Sequence, residues 1–479
     1  MPTLRKSLAW SFGQQGGRYV IQFVGAIFIA RLLTPEEMGI FALAMAANGV
    51  LSALRGMGVG RYLIREPDLT DDKIASAFAI ILLVGIALGV ILLGVAGPVS
   101  ALYGEPRLAS VLYIVSIGYF LSPIGQPAMA LMQRNMRFDQ LAYINLASGL
   151  VGTSTNIICA YLGYGVHSLA MGLVLGNIVQ YLGTLAHYPN HIKMMPNLRH
   201  WREVVSFGGL ATLANLIGTL NSDFMKFVTG GILGPAALGQ IDRAGNLPNM
   251  TRRMLFLPMS RVLFPHFAKM IRDKAPLNPA VLGVVGGTSI IIVPAFFTMA
   301  LVSGPVVRLL FGDQWGIAGE IMPFLLAGSA LLTLQPQPDA LLTADGRLGR
   351  LVALRLILLV SSLLFTVFGA LGGIMTFAYS RVPAALFAII AIYIAIRPVC
   401  APPFKDYLRL YLKAMAVIAI TCPPAVICHL YWGEEAGIIE LAGVAISATL
   451  LWLAAIFIVN HPLKKEVTMI LTRLTRRGD

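Results

Sequence analysis

Apolar residues fill this chain in blocks of about twenty, the length a helix needs to cross the hydrocarbon of a bilayer. Pro, Gly or charge divides the blocks, which begin near residues 8, 38, 74, 107, 140, 165, 204, 235, 279, 316, 350, 373, 408 and 437. The pattern predicts an all-α integral membrane protein with about 14 transmembrane helices. Arg55 interrupts the second block. The tenth holds Gln335-Pro336-Gln337-Pro338-Asp339, where kinked backbone needs partners in protein or water. Connections are short, the longest near residues 263–278, so no extramembrane stretch is large enough for a catalytic domain.

Composition agrees: 57% of residues are hydrophobic and 12% charged, against about 25% charged in an ordinary soluble domain. The net charge of +14 matters through its placement. Alternate loops receive 29 of the 36 Lys and Arg residues, while the opposite loops hold only Arg107 and Arg308 beside Glu36, Glu37, Glu105, Asp313, Glu434 and Glu435. By the positive-inside rule both termini are cytoplasmic and the number of spans is even. The basic balance is therefore a topology signal and not a nucleic-acid footprint. Arg5 and Lys6 precede a span too long for a signal h-region and lacking a cleavage pattern, so no cleavable signal peptide is expected. Cys159, Cys400, Cys422 and Cys428 lie in apolar stretches without a CxxC spacing and read as small core residues. The seven histidines form no HExxH cluster, and no metal site is expected.

Four short matches recur in order. Ser11-Phe12-Gly13 returns as Ser206-Phe207-Gly208. Leu33, Pro35 and Gly39 return as Leu233, Pro235 and Gly239. "GPVSALYG" from 97 resembles "GPVVRLLFG" from 304, and Gln126-Pro127 returns as Gln337-Pro338. A collinear, slowly growing shift indicates an internal repeat. Each repeat holds six spans, an even number, so the halves enter the membrane in the same sense. Such parallel repeats are a transporter architecture, with the substrate site at the repeat interface. The expected organisation is an N-terminal six-helix lobe over 1–195, a C-terminal six-helix lobe over 196–402, and two extra helices with a cytoplasmic tail over 403–479.

Several spans carry charge. In "SFGQQGGRYVIQFVGAIFIARLL", residues 11–33, Gln14, Arg18 and Gln22 are four apart and stack on one helix face, which Gly25 continues. Arg18 lies roughly 15 Å into its span, and a charge at that depth is costly unless it faces a bundle interior or a watery cavity. Three readings compete: a cavity-lining arginine, a buried Arg–Asp pair, and a side chain snorkelling to the inner surface. Asn48, Ser52 and Arg55 share a stripe of the second helix, with Arg55 also readable as a topology charge. In the seventh, Asn215, Asp223 and Lys226 recur, and the last two could simply pair. Asp242, Asn246, Asn249 and Arg253 form a stripe in the eighth, with Arg243 beside it. Asp339 sits in the proline-rich break, Arg381 has no local partner, and Arg31 lies near the outer end of its span.

The stretch "NSDFMKFVTGGILGPAALGQIDRAGNLPNMTRRMLFLPMSRVLFPHFAKM" resembles the second-half signature of lipid-linked oligosaccharide flippases. These are the Wzx-like polysaccharide transporter branch of the multidrug/oligosaccharidyl-lipid/polysaccharide exporter superfamily. Asp223, Gly234, Gly239, Ala244, Leu247-Pro248 and Val262 to Pro265 match it, and "ARLLTPEEMGIFALA" and "LIRE" match in the first half. Ile241 stands where the family has Tyr, followed by the less usual Asp242-Arg243. The resemblance covers roughly residues 5–410.

The resemblance implies a flippase that turns an undecaprenyl-diphosphate-linked oligosaccharide (a lipopolysaccharide, capsule or exopolysaccharide repeat unit) from the cytoplasmic to the periplasmic leaflet by alternating access. It implies residence in the bacterial inner membrane, a monomer among membrane lipids, and a polysaccharide polymerase and assembly machinery as partners. No cofactor and no nucleotide hydrolysis are implied, and the chain has no GxxxxGK(S/T) loop. Coupling to a proton or sodium gradient stays open. A diphosphate suits the planar fork of arginine, and glutamine amides suit sugar hydroxyls. The substrate-binding candidates are thus Gln14, Arg18, Gln22, Asn48, Arg55, Arg243, Asn246, Asn249 and Arg381. Asp223, Asp242 and Asp339 are candidate coupling or structural acids. The rival is a cation-coupled multidrug exporter of the same superfamily, which would need an acidic cavity. Here Arg18, Arg31, Lys226, Arg243 and Arg381 outnumber those three acids. A membrane polysaccharide polymerase or ligase, an enzyme, would need a large periplasmic loop that is absent from the pattern.

Overall fold

The computed structural model describes residues 4–55, 58–187, 189 and 195–459, the side chains of 4–12, 206–222, 247, 252–258, 260–262 and 404 excepted. The tail beyond 459 and the side chains of Asn215 and Arg253 therefore lie outside the described residues. What is described is helical: α1 (Leu4–Leu32), α2 (Pro35–Arg55), α3 (Val59–Arg65), α4 (Asp71–Tyr103), α5 (Pro106–Arg134), α6 (Phe138–Tyr161) and α7 (His167–His187). There follow α8 (Trp201–Arg272), α9 (Leu277–Leu301), α10 (Ser303–Phe311), α11 (Gly316–Thr333), α12 (Pro338–Ala344), α13 (Leu348–Leu371), α14 (Ile374–Ile396), α15 (Phe404–Thr421), α16 (Pro423–Tyr431) and α17 (Ile438–Ile458). α8 is broken at Gly234, whose φ of 83° leaves the helical region.

Every predicted span start falls in a helix or within two residues of one. Among the described residues nine helices, or ten with the bent pair Lys405–Thr421 and Pro423–Tyr431, are long and apolar enough to cross a membrane. α1, α6 and the two arms of α8 fall outside that set. The expected count of about 14 thus rests on these polar helices as well.

Local chemistry explains where helices begin and end. At α2 the Thr34 hydroxyl accepts from the Glu37 amide at 3.3 Å while the Glu37 carboxylate accepts from the Thr34 amide at 2.8 Å. This is a reciprocal cap, with proline next in the first helical turn. The two basic residues expected on the outer side are neutralised where they stand. Arg107 pairs with Glu36 and Glu105, and Arg308 pairs with Asp313 at 3.2 Å and Glu434 at 2.5 Å. The Arg107 guanidinium holds the Glu105 carboxyl below its usual range.

The chain divides into two compact units, Met1–Gly239 and Gln240–Asp479. In the first, Ile40, Leu43, Leu92, Leu112 and Tyr119 build a core from α2, α4 and α5. In the second, Phe267, Leu341, Leu354 and Ile396 build another from the end of α8 with α12, α13 and α14. Cys400, Cys422 and Cys428 are buried and unbridged, as small core residues would be.

The repeat is visible in local geometry. α6 and α13 each run 24 residues, from 138 to 161 and from 348 to 371. The turns before them match bond for bond: Arg137 N donates to Met132 O and Arg347 N to Leu342 O, at 3.0 and 2.9 Å. Met136 and Gly346, with φ of 56° and 74°, take the same left-handed place. Gly104 and Gly312, equivalent in the sequence match, both close a helix at positive φ. Within the first unit the repeated Pro–Gly steps lie on each other. A Cβ on Gly39 would overlap the Pro235 carbonyl oxygen, and one on Gly239 would overlap that of Pro35.

Candidate functional site

The first unit carries five of the predicted substrate-binding residues, on two surfaces. α1 packs along α6, with Gly17 against Leu146 and Gly25 against Thr153. Small residues on that seam let the helices approach closely. The remaining arc of α1 is uncovered: Arg18 and Gln22 are exposed and Gln14 is half-buried. Arg18 is exposed and makes no hydrogen bond or ion pair among the described residues, so it is not half of a buried Arg–Asp pair. Gln15, beside it, donates to the Tyr19 hydroxyl at 3.0 Å.

The second surface joins α2, α5 and α7. The Tyr119 hydroxyl lies 2.9 Å from Asn48 Oδ1 and 3.0 Å from the Asn48 carbonyl oxygen, donating toward both. The Arg55 guanidinium sits 5.6 Å from the centre of the Tyr119 ring and beside the Tyr181 hydroxyl. Asn48 and Arg55 are thus held by two buried tyrosines that the sequence reading did not select. Their signal was available, because a tyrosine inside an apolar span needs a partner for its hydroxyl. Asp223 of α8 packs against Gly49 of α2, so close that a Cβ there would overlap its carboxylate.

In the second unit the eighth-helix stripe divides. Asp242 is half-buried and Asn246 and Asn249 are exposed. Arg243 faces the packed side: it is 3% exposed, with its guanidinium 4.8 Å from the Phe311 ring centre and 4.9 Å from that of Trp315. Gln240, one turn earlier, fixes the same wall by donating to the Gln314 carbonyl at 2.8 Å and accepting from the Ala318 amide at 2.9 Å. Arg381 is half-buried over the Phe377 ring at 4.3 Å, and its Nη2 donates to the Thr366 hydroxyl at 3.0 Å. Asp339 lies on α12 in an exposed pair with Arg355 at 3.0 Å, a geometry worth little stability. Among the described residues no group of His, Cys, Asp and Glu could hold a metal ion.

The predicted residues therefore differ in environment. Arg18, Gln22, Asn246 and Asn249 present free polar surface, and Gln14 does so in part. Asn48 and Arg55 are braced by tyrosines, whereas Arg243 and Arg381 are held against aromatic rings.

Known proteins are similar to this chain in sequence and in fold. In curated relatives, the succinoglycan biosynthesis transport protein ExoT of Rhizobium meliloti is 26% identical, over 69% of this chain and 67% of that protein. The lipopolysaccharide biosynthesis protein WzxC of Escherichia coli is 23% identical, over 79% of this chain and 78% of its own length. The teichuronic acid biosynthesis protein TuaB of Bacillus subtilis is 22% identical, over 68% of each. Among solved structures, lipid II flippase MurJ in an inward closed conformation superposes with a TM-score of 0.74 at 15% identity. That match covers 96% of this chain and all of the other, and the two share a fold. With its helices, these relatives make the chain a multi-pass membrane protein. The model of the family described as polysaccharide biosynthesis protein matches residues 28–319, more than half of the chain, and the protein belongs to that family.

Proposed function

We propose that this protein is a flippase for an undecaprenyl-diphosphate-linked oligosaccharide, moving it from the cytoplasmic to the periplasmic leaflet of the bacterial inner membrane. The observation that carries the reading is Arg18, exposed and unpartnered in the described structure, in a helix that also presents Gln14 and Gln22. A guanidinium left open to an aqueous path matches a diphosphate, and the flanking amides match sugar hydroxyls. The names of the relatives, which place them in exopolysaccharide, lipopolysaccharide and teichuronic acid biosynthesis, support the substrate class.

Under this reading residues 1–195 and 196–402 act as the two repeats of an alternating-access transporter, with 403–479 appended and both termini cytoplasmic. Gln14, Arg18, Gln22, Asn246 and Asn249 contact the glycolipid directly. Asn48 and Arg55 present a tyrosine-braced polar wall to it, and Arg243 and Arg381 shape the lining. Asp223 and Asp242 are the acids that would couple transport to a proton or sodium gradient, while Asp339 is a structural acid paired with Arg355. No cofactor takes part, and a polysaccharide polymerase receives the product. The exposed Arg18 favours an anionic substrate over the cations of a multidrug exporter.

Deleting the protein should make the lipid-linked oligosaccharide accumulate, protected from periplasmic enzymes that act on its glycan. Normal glycan exposure in the deletion strain, with no other such transporter present, would overturn the proposal.

A further inference from the structure

The proline-rich break after α11 has no place in the transport reading, yet it opens onto a second site within the second unit. Two adjoining cavities share Leu334 and Tyr411 in their walls. One, of about 210 Å³, is bounded by Gln335, Pro336, Ile390, Tyr393 and Tyr407. The other, of about 220 Å³, is lined by apolar residues with Tyr411 at its rim, among them Phe297, Leu331, Ala414 and Ile418. The first cavity ends in unmet polar chemistry. The Tyr407 hydroxyl and the Gln335 Oε1 are both buried without a hydrogen-bond partner, and Tyr407 is 6% exposed. The ring of Tyr407 is wedged between Tyr393 and Tyr411, at 6.3 and 6.2 Å between centroids.

We propose that these adjoining cavities hold a membrane phospholipid, its phosphate accepting from Tyr407 and one acyl chain lying along α15 toward Ile418. Four properties of the site select this occupant. Tyrosines mark the level where a bilayer's headgroups begin, and the first cavity, with Tyr393, Tyr407 and Tyr411 in its wall, lies where α11 and α14 end and α15 begins. Exposed Arg397, Lys405 and Arg409 stand at those helix ends, and such basic clusters beside a span attract phospholipid headgroups. From Tyr407 to Ile418 is eleven residues of helix, roughly 16 Å, which is about half the hydrocarbon thickness and the depth of one leaflet. Both cavities are lined mainly by apolar side chains, which suits an acyl chain and not the hydroxyls of an oligosaccharide head. The unmet Gln335 oxygen needs a donor, which a headgroup ammonium or hydroxyl supplies while the phosphate satisfies Tyr407.

Native mass spectrometry of the full-length protein, extracted in mild detergent from its own membrane, tests this. One retained diacyl phospholipid per chain is expected. Tyr407→Phe and Gln335→Leu should each lower its occupancy about tenfold, as loss of a hydrogen bond to a charged group does. Ala414→Trp, which fills the apolar arm, should remove the lipid. The control is Leu364→Trp, on the exposed face of α13, which should retain it. Should Ala414→Trp fail to fold, the two polar variants decide, since each keeps the side-chain shape. Absence of a retained lipid, retention of a polyprenyl phosphate instead, or unchanged occupancy in Tyr407→Phe and Gln335→Leu would each overturn the proposal.

Discussion

Arg18 and Arg243 look alike in the sequence, each an arginine within an apolar stretch and each on a polar stripe. Their surroundings separate them. Arg18 is exposed, whereas Arg243 is sealed between Phe311 and Trp315. The two should respond differently to truncation. Arg243→Ala should cost about 2 kcal/mol or more, through two lost cation–π contacts and the cavity left behind. Arg18→Ala should change stability by no more than about 0.5 kcal/mol, as exposed substitutions do. Thermal melts of the purified variants check this, and equal losses would erase the distinction. Periodicity revealed that a polar stripe exists on the eighth helix. Which part of it is covered depends on a wall built 68 to 75 residues later, and no local pattern reports that. A tyrosine within an apolar span signals that its hydroxyl needs a partner, but that Tyr119 and Tyr181 find theirs at Asn48 and Arg55, on another helix, is reported by no local pattern.

At the scale of elements, the helices were legible because bilayer crossing demands long apolar runs, and each predicted start coincides with a helix. α1 and α6 fall outside the set of strongly apolar helices, and α1 carries Gln14, Arg18 and Gln22, because a span with that many polar side chains cannot be apolar all round. The repeat was legible only in part. Met136 and Gly346 share a backbone conformation but not a side chain, and conformation persists where identity does not. Pro35-Gly39 and Pro235-Gly239 kept both, because each glycine lies on the other proline's carbonyl. Gly39→Ala and Gly239→Ala should therefore each destabilise by about 1–3 kcal/mol. The double variant should cost clearly less than their sum, since both break one contact. Additive losses in melts of the three variants would show two unrelated packing sites.

For the whole molecule, the positive-inside rule applied to the charge asymmetry predicts cytoplasmic termini. Cysteines placed near Glu36, Glu105 and Glu434 should label from outside intact cells, and those near Arg134 and Lys269 should not. Reversal at two of these positions would invert the orientation. Family membership and the shared fold fix the architecture, while the substrate's chemistry rests on the free polar face of α1. The most direct measurement is therefore glycan translocation in cells whose only copy carries Arg18→Ala, at normal protein level. The account predicts that lipid-linked oligosaccharide accumulates unflipped, with Arg18→Lys restoring transport in part because an ammonium keeps the charge but loses the planar fork. Full translocation by Arg18→Ala would contradict it.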